Sequence, residues 1–400
     1  MKVIIQDPWG IGDLGTYDCS LCYELHKKNI NLALITNWYY EYDKLSNFKV
    51  AKVFFKYSEI MKRSILRKVI RGCEYCFTML NLLNKYSKES PDIIHIQWLL
   101  FYQFDYFWLR ILRYLLRRKN TKIILTAHNL LPHINGYKYK NILGKIYSQF
   151  DGIIVHSKVL KTQMIEIFGE KAKNWLICVT SIGVEDKLLV KVDQNILNIY
   201  RDKVKLLKSD GHNFLFAGGI HKNKGLDILL KAWGNHINEF PNDKLYIVGN
   251  PTYNMNDELK YIKKYRASIN TSFGIKSDEE LLAYFLECDF VVLPYKEASQ
   301  SAVLLTAFTL GKPVIVTKVG GLPEVVDTIQ GGYVVDSNNP NSLCKAINKA
   351  SKISNTELSK WNNDIQKKTL TNYSWDNIAE VTLNFYNEVC SIPNVKLNKN

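Results

Sequence analysis

One pattern constrains the fold more than any other, and it occurs twice along the chain. In the first half, short apolar runs at Lys2–Gln6, Leu32–Thr36, Ile93–Gln97, Ile123–Ala127 and Gly152–His156 alternate with amphipathic segments that begin near Gly15, Glu59, Tyr102 and Ile142. Brief strand-like runs joined by helices predict a parallel sheet covered on both faces. The second half repeats the scheme, with strands expected at Phe214–Ala217, Leu245–Val248, Phe290–Pro294, Val314–Thr317 and Tyr333–Val335. Its helices are expected near Gly225, Asp278, Ala302 and Asn341. The fold class is therefore α/β, with two Rossmann-like doubly wound domains. Ligands in such sheets bind beyond the carboxyl ends of the strands, so the two domains are expected to face a common cleft. The polar stretch "GVEDKLLVKVDQNILNIYRDKVKLLKSDG" marks the junction, giving domains at 1–190 and 191–375. The amphipathic "SWDNIAEVTLNFYNEV" forms a terminal helix within 376–400 that crosses back to the amino-terminal domain.

A length of 400 residues agrees with two cores rather than one. The net charge of +15 suits a polyanionic partner: nucleic acid, anionic lipid or a phosphorylated metabolite. No nucleic-acid-binding module is recognisable, and nucleic acid is not expected as a partner. No apolar run is long enough to span a bilayer, and Met1-Lys2-Val3 leads into a strand rather than a secretion signal. A cytoplasmic location is expected, with the cysteines reduced. Cys19/Cys22 and Cys73/Cys76 form two C-x-x-C pairs. They are too widely separated for a zinc ribbon and sit in helix-like segments, so they read as half-buried helical thiols and no metal is expected.

Chemistry concentrates just beyond the strands. "DPWGIGDLGTYD" places Gly10, Gly12 and Gly15 in a G-x-G-x-x-G turn before a helix. A dinucleotide site would need an acidic residue about twenty positions further on, and the second strand ends at Thr36-Asn37-Trp38 without one. "TAHNLLPH" sets His128, Asn129 and His133 beyond the Ile123–Ala127 strand. Imidazole there can bond a sugar hydroxyl or polarise a reacting centre. "FLFAGGIHKNKGLDILLKAW" follows a strand with Gly218, Gly219, His221, Lys222, Lys224 and Gly225, where a phosphate would meet ammonium groups beside a flexed backbone. "LPYKEASQSAVLLTAFTLGKPVIVT" then ends a strand and opens a helix, with Ser299, Gln300 and Ser301 as cap candidates. A helix start presents free N–H groups and positive potential, so it favours an anion. Lys224 and this helix start are expected to grip one diphosphate.

These motifs, in this order, resemble the retaining glycosyltransferases of GT-B fold, the group-1 or GT4 type, over nearly the whole chain. The likeness is strongest in Phe214–Trp233 and Phe273–Val326, including "SDEELLAYFLECDFVVLPY" and "GKPVIVTKVGGLPE". It implies transfer of a sugar from a nucleotide-diphosphate donor to an acceptor hydroxyl with retention, without a divalent metal or other cofactor. Lys224 matches the family lysine that binds the donor diphosphate. The usual arginine is replaced by Gly219, and His221 stands where a related branch carries arginine. Glu297 matches the first of two family glutamates and faces the donor sugar by that likeness. The second is absent, since Leu305 and Thr306 occupy the places reached by counting forward from Glu297 or back from Gly311. "EASQSAV" is similar to the A-T-Q-S-G text of the same branch. His128 resembles the family histidine near the transferred hexose, and Gly10, Gly12 and Gly15 the loop lining the cleft from the acceptor domain.

Two further segments bear on the acceptor. "EIMKRSILRKVIRGCEYCFTML" and "FYQFDYFWLRILRYLLRRKNTK" mix apolar residues with arginine and lysine, as membrane-surface helices do and as core helices with snorkelling arginines also do. The acceptor is a sugar or lipid-linked glycan; on the first reading it is lipid-linked at the inner face of the cell membrane, contacted peripherally through anionic lipid. The donor is a UDP- or GDP-linked sugar. Two rivals remain: a non-catalytic nucleotide-sugar-binding scaffold, and a sugar-nucleotide epimerase of the same architecture.

Overall fold

The computed structural model describes residues 1–43, 46–132, 136–184, 192–298 and 300–393. They form two compact units, one of Met1–Ile182 with the segment from Trp375, the other of Gly183–Ser374. The first division falls earlier than the 1–190 expected from sequence. The reason is local: Val184 N–H already bonds to Tyr373 O at 2.9 Å inside the second unit.

The first unit carries a seven-stranded sheet in the order β3-β2-β1-β4-β5-β6-β7. Its strands are β1 (Lys2–Asp7), β2 (Asn31–Asn37), β3 (Lys49–Phe54), β4 (Ile93–Ile96), β5 (Lys122–Thr126), β6 (Gly152–Val155) and β7 (Ile177–Val179). All pairings are parallel; Val3 lies between Leu32 and Ile93. Apolar side chains alternate between two cores, which explains the continuous runs in sequence. Ile4, Ile94 and Ile123 enter one core with the helices Ile65–Glu89 and Tyr102–Leu116. Val3, Ile5, Ile93 and Ile124 enter the other with the helix Asp13–Lys27 and the last helix, Trp375–Ser391. The close approach of that last helix requires Gly152, where an added Cβ would lie 2.7 Å from Phe385.

The second unit carries β8 (Asn213–Ala217), β9 (Lys244–Gly249), β10 (Ile269–Phe273), β11 (Phe290–Leu293), β12 (Val314–Thr317) and β13 (Gly332–Val335). Their order is β10-β9-β8-β11-β12-β13, again parallel throughout. In both sheets the chain winds outward from the first strand on one side, then returns to its other edge. Both units are thus doubly wound.

Three strands escape the sequence reading: β3, β7 and β10. Each is a sheet edge. An edge strand needs less apolar surface, and "KVAKVF" and "INTSF" are accordingly mixed. The helix expected from Glu59 starts at Ile65 instead, because Ser64 accepts a bond from Arg67 N–H and fixes the start there. The junction segment contains a helix, Gln194–Lys205, held to the helix Asp278–Glu287 by an Arg201–Glu287 ion pair at 2.9 Å.

Candidate functional site

In the second unit the order reverses between β8 and β11, the place where doubly wound sheets open a crevice. The chain leaving β8 passes Gly218 and Gly219, makes the short turn Lys222–Lys224, and enters the helix Leu226–His236 through Gly225. Gly225 has φ +71°, and a Cβ there would lie 1.9 Å from Pro294 O, beyond the end of β11. Only glycine permits this approach. The two loops are also stapled: Lys296 N–H bonds Asn223 O at 2.8 Å, and Lys296 Nζ pairs with Asp227 at 2.8 Å. A Cβ on Gly218 would stand 3.3 Å from Val303, in the first turn of the helix Ala302–Thr309.

Tyr295 completes the convergence. Lys224 Nζ stands 3.7 Å from the centre of its ring, and its hydroxyl lies 3.4 Å from Ser301 Oγ. Ser301 is the N-cap of Ala302–Thr309 and accepts from Leu304 N–H. Lys224 and this helix start therefore belong to one locus. Burial alone lowers the Lys224 pKa to about 8, with no carboxylate beside it among the described residues. An ammonium desolvated in this way, next to free helical N–H groups, is a site prepared for an anion.

The remaining donor-side candidates are placed less centrally. His221 is exposed and tied by Nδ1 to Thr252 Oγ1 at 2.7 Å, a bond to the loop after β9. Gln300 is half-buried and already engaged. Glu297 is exposed; its carbonyl accepts from Asn223 Nδ2 at 3.4 Å. Ser299 lies outside the described residues, as does His133 of the first unit.

In the first unit the reversal falls between β1 and β4. The glycine loop follows β1. Gly10 has φ +39°, and its Cβ would collide with Thr36 Oγ1 at 1.9 Å. Asp7 holds the loop by accepting from Trp9 N–H at 2.8 Å. Gly12 has φ +59° with open space around it, while Gly15, already inside the helix, packs against Gly10 O. Beneath the loop, Asp18 faces Asp7, both buried. Burial raises both carboxyl pKa values, and the Asp7 charge raises Asp18 further.

His128 stands half-buried just past β5, in a row with two buried histidines, His95 on β4 and His156 after β6. His156 Nδ1 meets Thr180 O at 3.1 Å, and a carbonyl only accepts, so that nitrogen carries the proton. His156 Nε2 then accepts from His128 Nδ1–H at 3.0 Å. His128 Nε2 lies 3.0 Å from Gln97 Oε1. His95 closes the row against Thr126 and Tyr386, each at 2.7 Å. Burial keeps all three neutral, lowering His95 to about 3, His156 to about 4 and His128 well below its ordinary value. Trp98 stacks on the His128 ring at 5.1 Å and 6°. Both His128 nitrogens are thus held by this unit's own groups.

Sequence reasoning missed Tyr295, Gln97, Trp98 and His156. Their positions at strand ends were visible, but an aromatic or amide there reads as core until its partners are known. The C-x-x-C pairs lie on two helices, Cys19 and Cys22 buried, Cys73 exposed. A cavity of about 750 Å³ lies at the opposite, amino-terminal edge of the second sheet. Two of its carboxylates are engaged in structure: Asp243 binds His236 and Ser351, and Asp289 binds Asn213.

The solved structure of the Anabaena protein HepE in complex with UDP superposes with a TM-score of 0.70, covering 97% of this chain and 100% of that one at 16% identity. Its fold is GT-B, the class that two doubly wound parallel sheets define here. Residues 15–185 match Glycosyltransferase Family 4, and residues 211–352 match Glycosyl transferases group 1. The chain belongs to the group-1 glycosyltransferases. An uncharacterized glycosyltransferase of Methanocaldococcus jannaschii is 29% identical over 256 residues, 58% of this chain and 59% of the relative. The match therefore spans about three fifths of that relative's length. A lipopolysaccharide 1,2-N-acetylglucosaminetransferase of Salmonella typhimurium is 24% identical over 93% of both chains.

Proposed function

We propose that this protein transfers a hexose from a UDP- or GDP-linked sugar to an acceptor hydroxyl with retention, in the assembly of a bacterial surface polysaccharide or glycolipid. The observation that carries the reading is the Lys224–Tyr295–Ser301 locus, one desolvated cation and one capped helix start at the switch point of the second sheet. The UDP in HepE and the lipopolysaccharide role in the name of the Salmonella relative support donor and pathway class.

In this reaction the bond from the anomeric carbon to the diphosphate oxygen breaks, and a bond to the acceptor oxygen forms on the same face. The acceptor proton passes to a phosphate oxygen as charge builds there. Lys224 and the N–H groups after Ser301 stabilise that charge without needing to reorganise. By the family likeness Glu297 faces the donor sugar. No carboxylate base is required by such a path. The absence of the second glutamate, with buried Leu305 and then Thr306 in its region, favours a second reading as a nucleotide-sugar-binding scaffold. Slow hydrolysis of the donor sugar would exclude it.

The decisive measurement is calorimetric titration with UDP, GDP and their sugars. One nucleotide family should bind, and Lys224→Ala should weaken it by roughly 10- to 100-fold, the worth of a charge-assisted contact of about 1.5–3 kcal/mol. Failure of every nucleoside diphosphate to bind would end this assignment.

A further inference from the structure

The helices Ile65–Glu89 and Tyr102–Leu116 pack side by side in the first unit. Each buries one apolar stripe: Tyr75, Met79, Leu82 and Tyr86 on the first, Trp108, Leu109, Leu112 and Leu116 on the second. Their contact is pinned by Tyr75 OH donating to Asp105 at 2.7 Å and Trp108 Nε1 donating to Met79 O at 2.6 Å. With the cores satisfied, the outward faces ought to be polar. They are not. Leu66, Val69, Cys73, Phe77 and Leu80 stand exposed at steps of three and four residues, a second helical stripe, with Phe77 69% accessible. Phe107, Ile111 and Tyr114 repeat this on the neighbour, Phe107 and Tyr114 both at 61%.

The surrounding charge is of one sign. Lys62, Arg63, Lys68, Arg110, Arg117 and Arg118 are exposed, and among the described residues none forms a salt bridge. The three acids of these helices are spent elsewhere. Glu74 accepts from Tyr57 and Ser58 N–H, Glu89 pairs with Lys2, and Asp105 is buried. An apolar double stripe rimmed by cations and free of available carboxylate fits a surface that is apolar within and anionic at its edge. A second copy would bring like charges together across the contact. No described helix is long and apolar enough to cross a membrane.

We propose that this two-helix face docks on an anionic bilayer, the stripe entering the acyl boundary and the arginines meeting headgroup phosphates. The proposal deepens the reading of a lipid-linked acceptor and rests on it only for its purpose. The test floats the full chain with phosphatidylcholine vesicles, with and without phosphatidylglycerol. The protein should float with the anionic vesicles at low salt and be released as salt rises. The pair Arg117→Glu and Arg118→Glu should weaken partitioning about fivefold or more per cation. The pair Phe77→Asp and Leu80→Asp should abolish flotation while leaving the thermal melt and UDP binding unchanged, since both positions are exposed. Absence of flotation at low salt, wild-type flotation of the stripe variant, or a dimer that this variant dissociates would each overturn the docking face. UDP binding without flotation would leave the transferase reading standing, and flotation without nucleotide binding would support docking while removing that reading.

Discussion

Lys224 shows what a single residue gains from its surroundings. Held above the Tyr295 ring and short of water, it loses its proton near pH 8 instead of 10.5. The sign for stability follows directly. Between those values the unfolded chain binds more protons, so folding is favoured as pH rises through that window and the benefit is lost as pH falls through about 8. Affinity for a diphosphate runs the other way, because only the charged form attracts it. Nucleotide binding by the wild type should therefore weaken as pH rises past 8, approaching about tenfold per unit. Lys224→Arg should remove that dependence, since guanidinium stays charged. Titrations at neutral and alkaline pH read both results. The lysine and its flanking glycines were legible in "HKNKG"; the shifted protonation was not, because it depends on burial by the fold, in which Tyr295, 71 positions later, is a contact.

At the scale of elements, the helix Ala302–Thr309 carries the argument. It is almost entirely apolar, so its sequence identifies a buried helix, and Ser301 supplies its start. Ser301→Ala should lower stability by about 1 kcal/mol, the usual cost of an N-cap, seen as a shifted denaturation midpoint with unchanged slope. Nucleotide affinity should fall with it, because the same serine supports Tyr295. Central strands were readable as apolar runs, since both faces are covered. The edges β3, β7 and β10 were not, because one side of their backbone lacks a neighbour, β3 and β10 carry mixed side chains, and β7 is only three residues long. The helices Ile65–Glu89 and Tyr102–Leu116 posed the reverse difficulty. Their arginines fitted both a membrane face and a solvated one, and only the burial of Tyr75 and Trp108 shows that further apolar residues point outward.

At the scale of the molecule, two sheets repeat one winding, and the last helix, Trp375–Ser391, packs in the unit where the chain began. Tyr386 sits 291 positions from His95 yet donates to it or accepts from it at 2.7 Å, under a core shared with Val3 and Ile5. Tyr386→Ala should cost about 3–5 kcal/mol, measurable by denaturant unfolding. By itself the sequence determined the alternation of strand and helix, the doubling of the sheet, the glycine turns and the basic loop before a helix. These depend on local periodicity and on backbone conformations few residues accept. Tertiary structure alone decided that Tyr295 joins Lys224 to Ser301, that His128 has both nitrogens engaged, and which helix faces remain bare. Those outcomes depend on distances between segments remote along the chain, and periodicity carries no information about which neighbour fills a face.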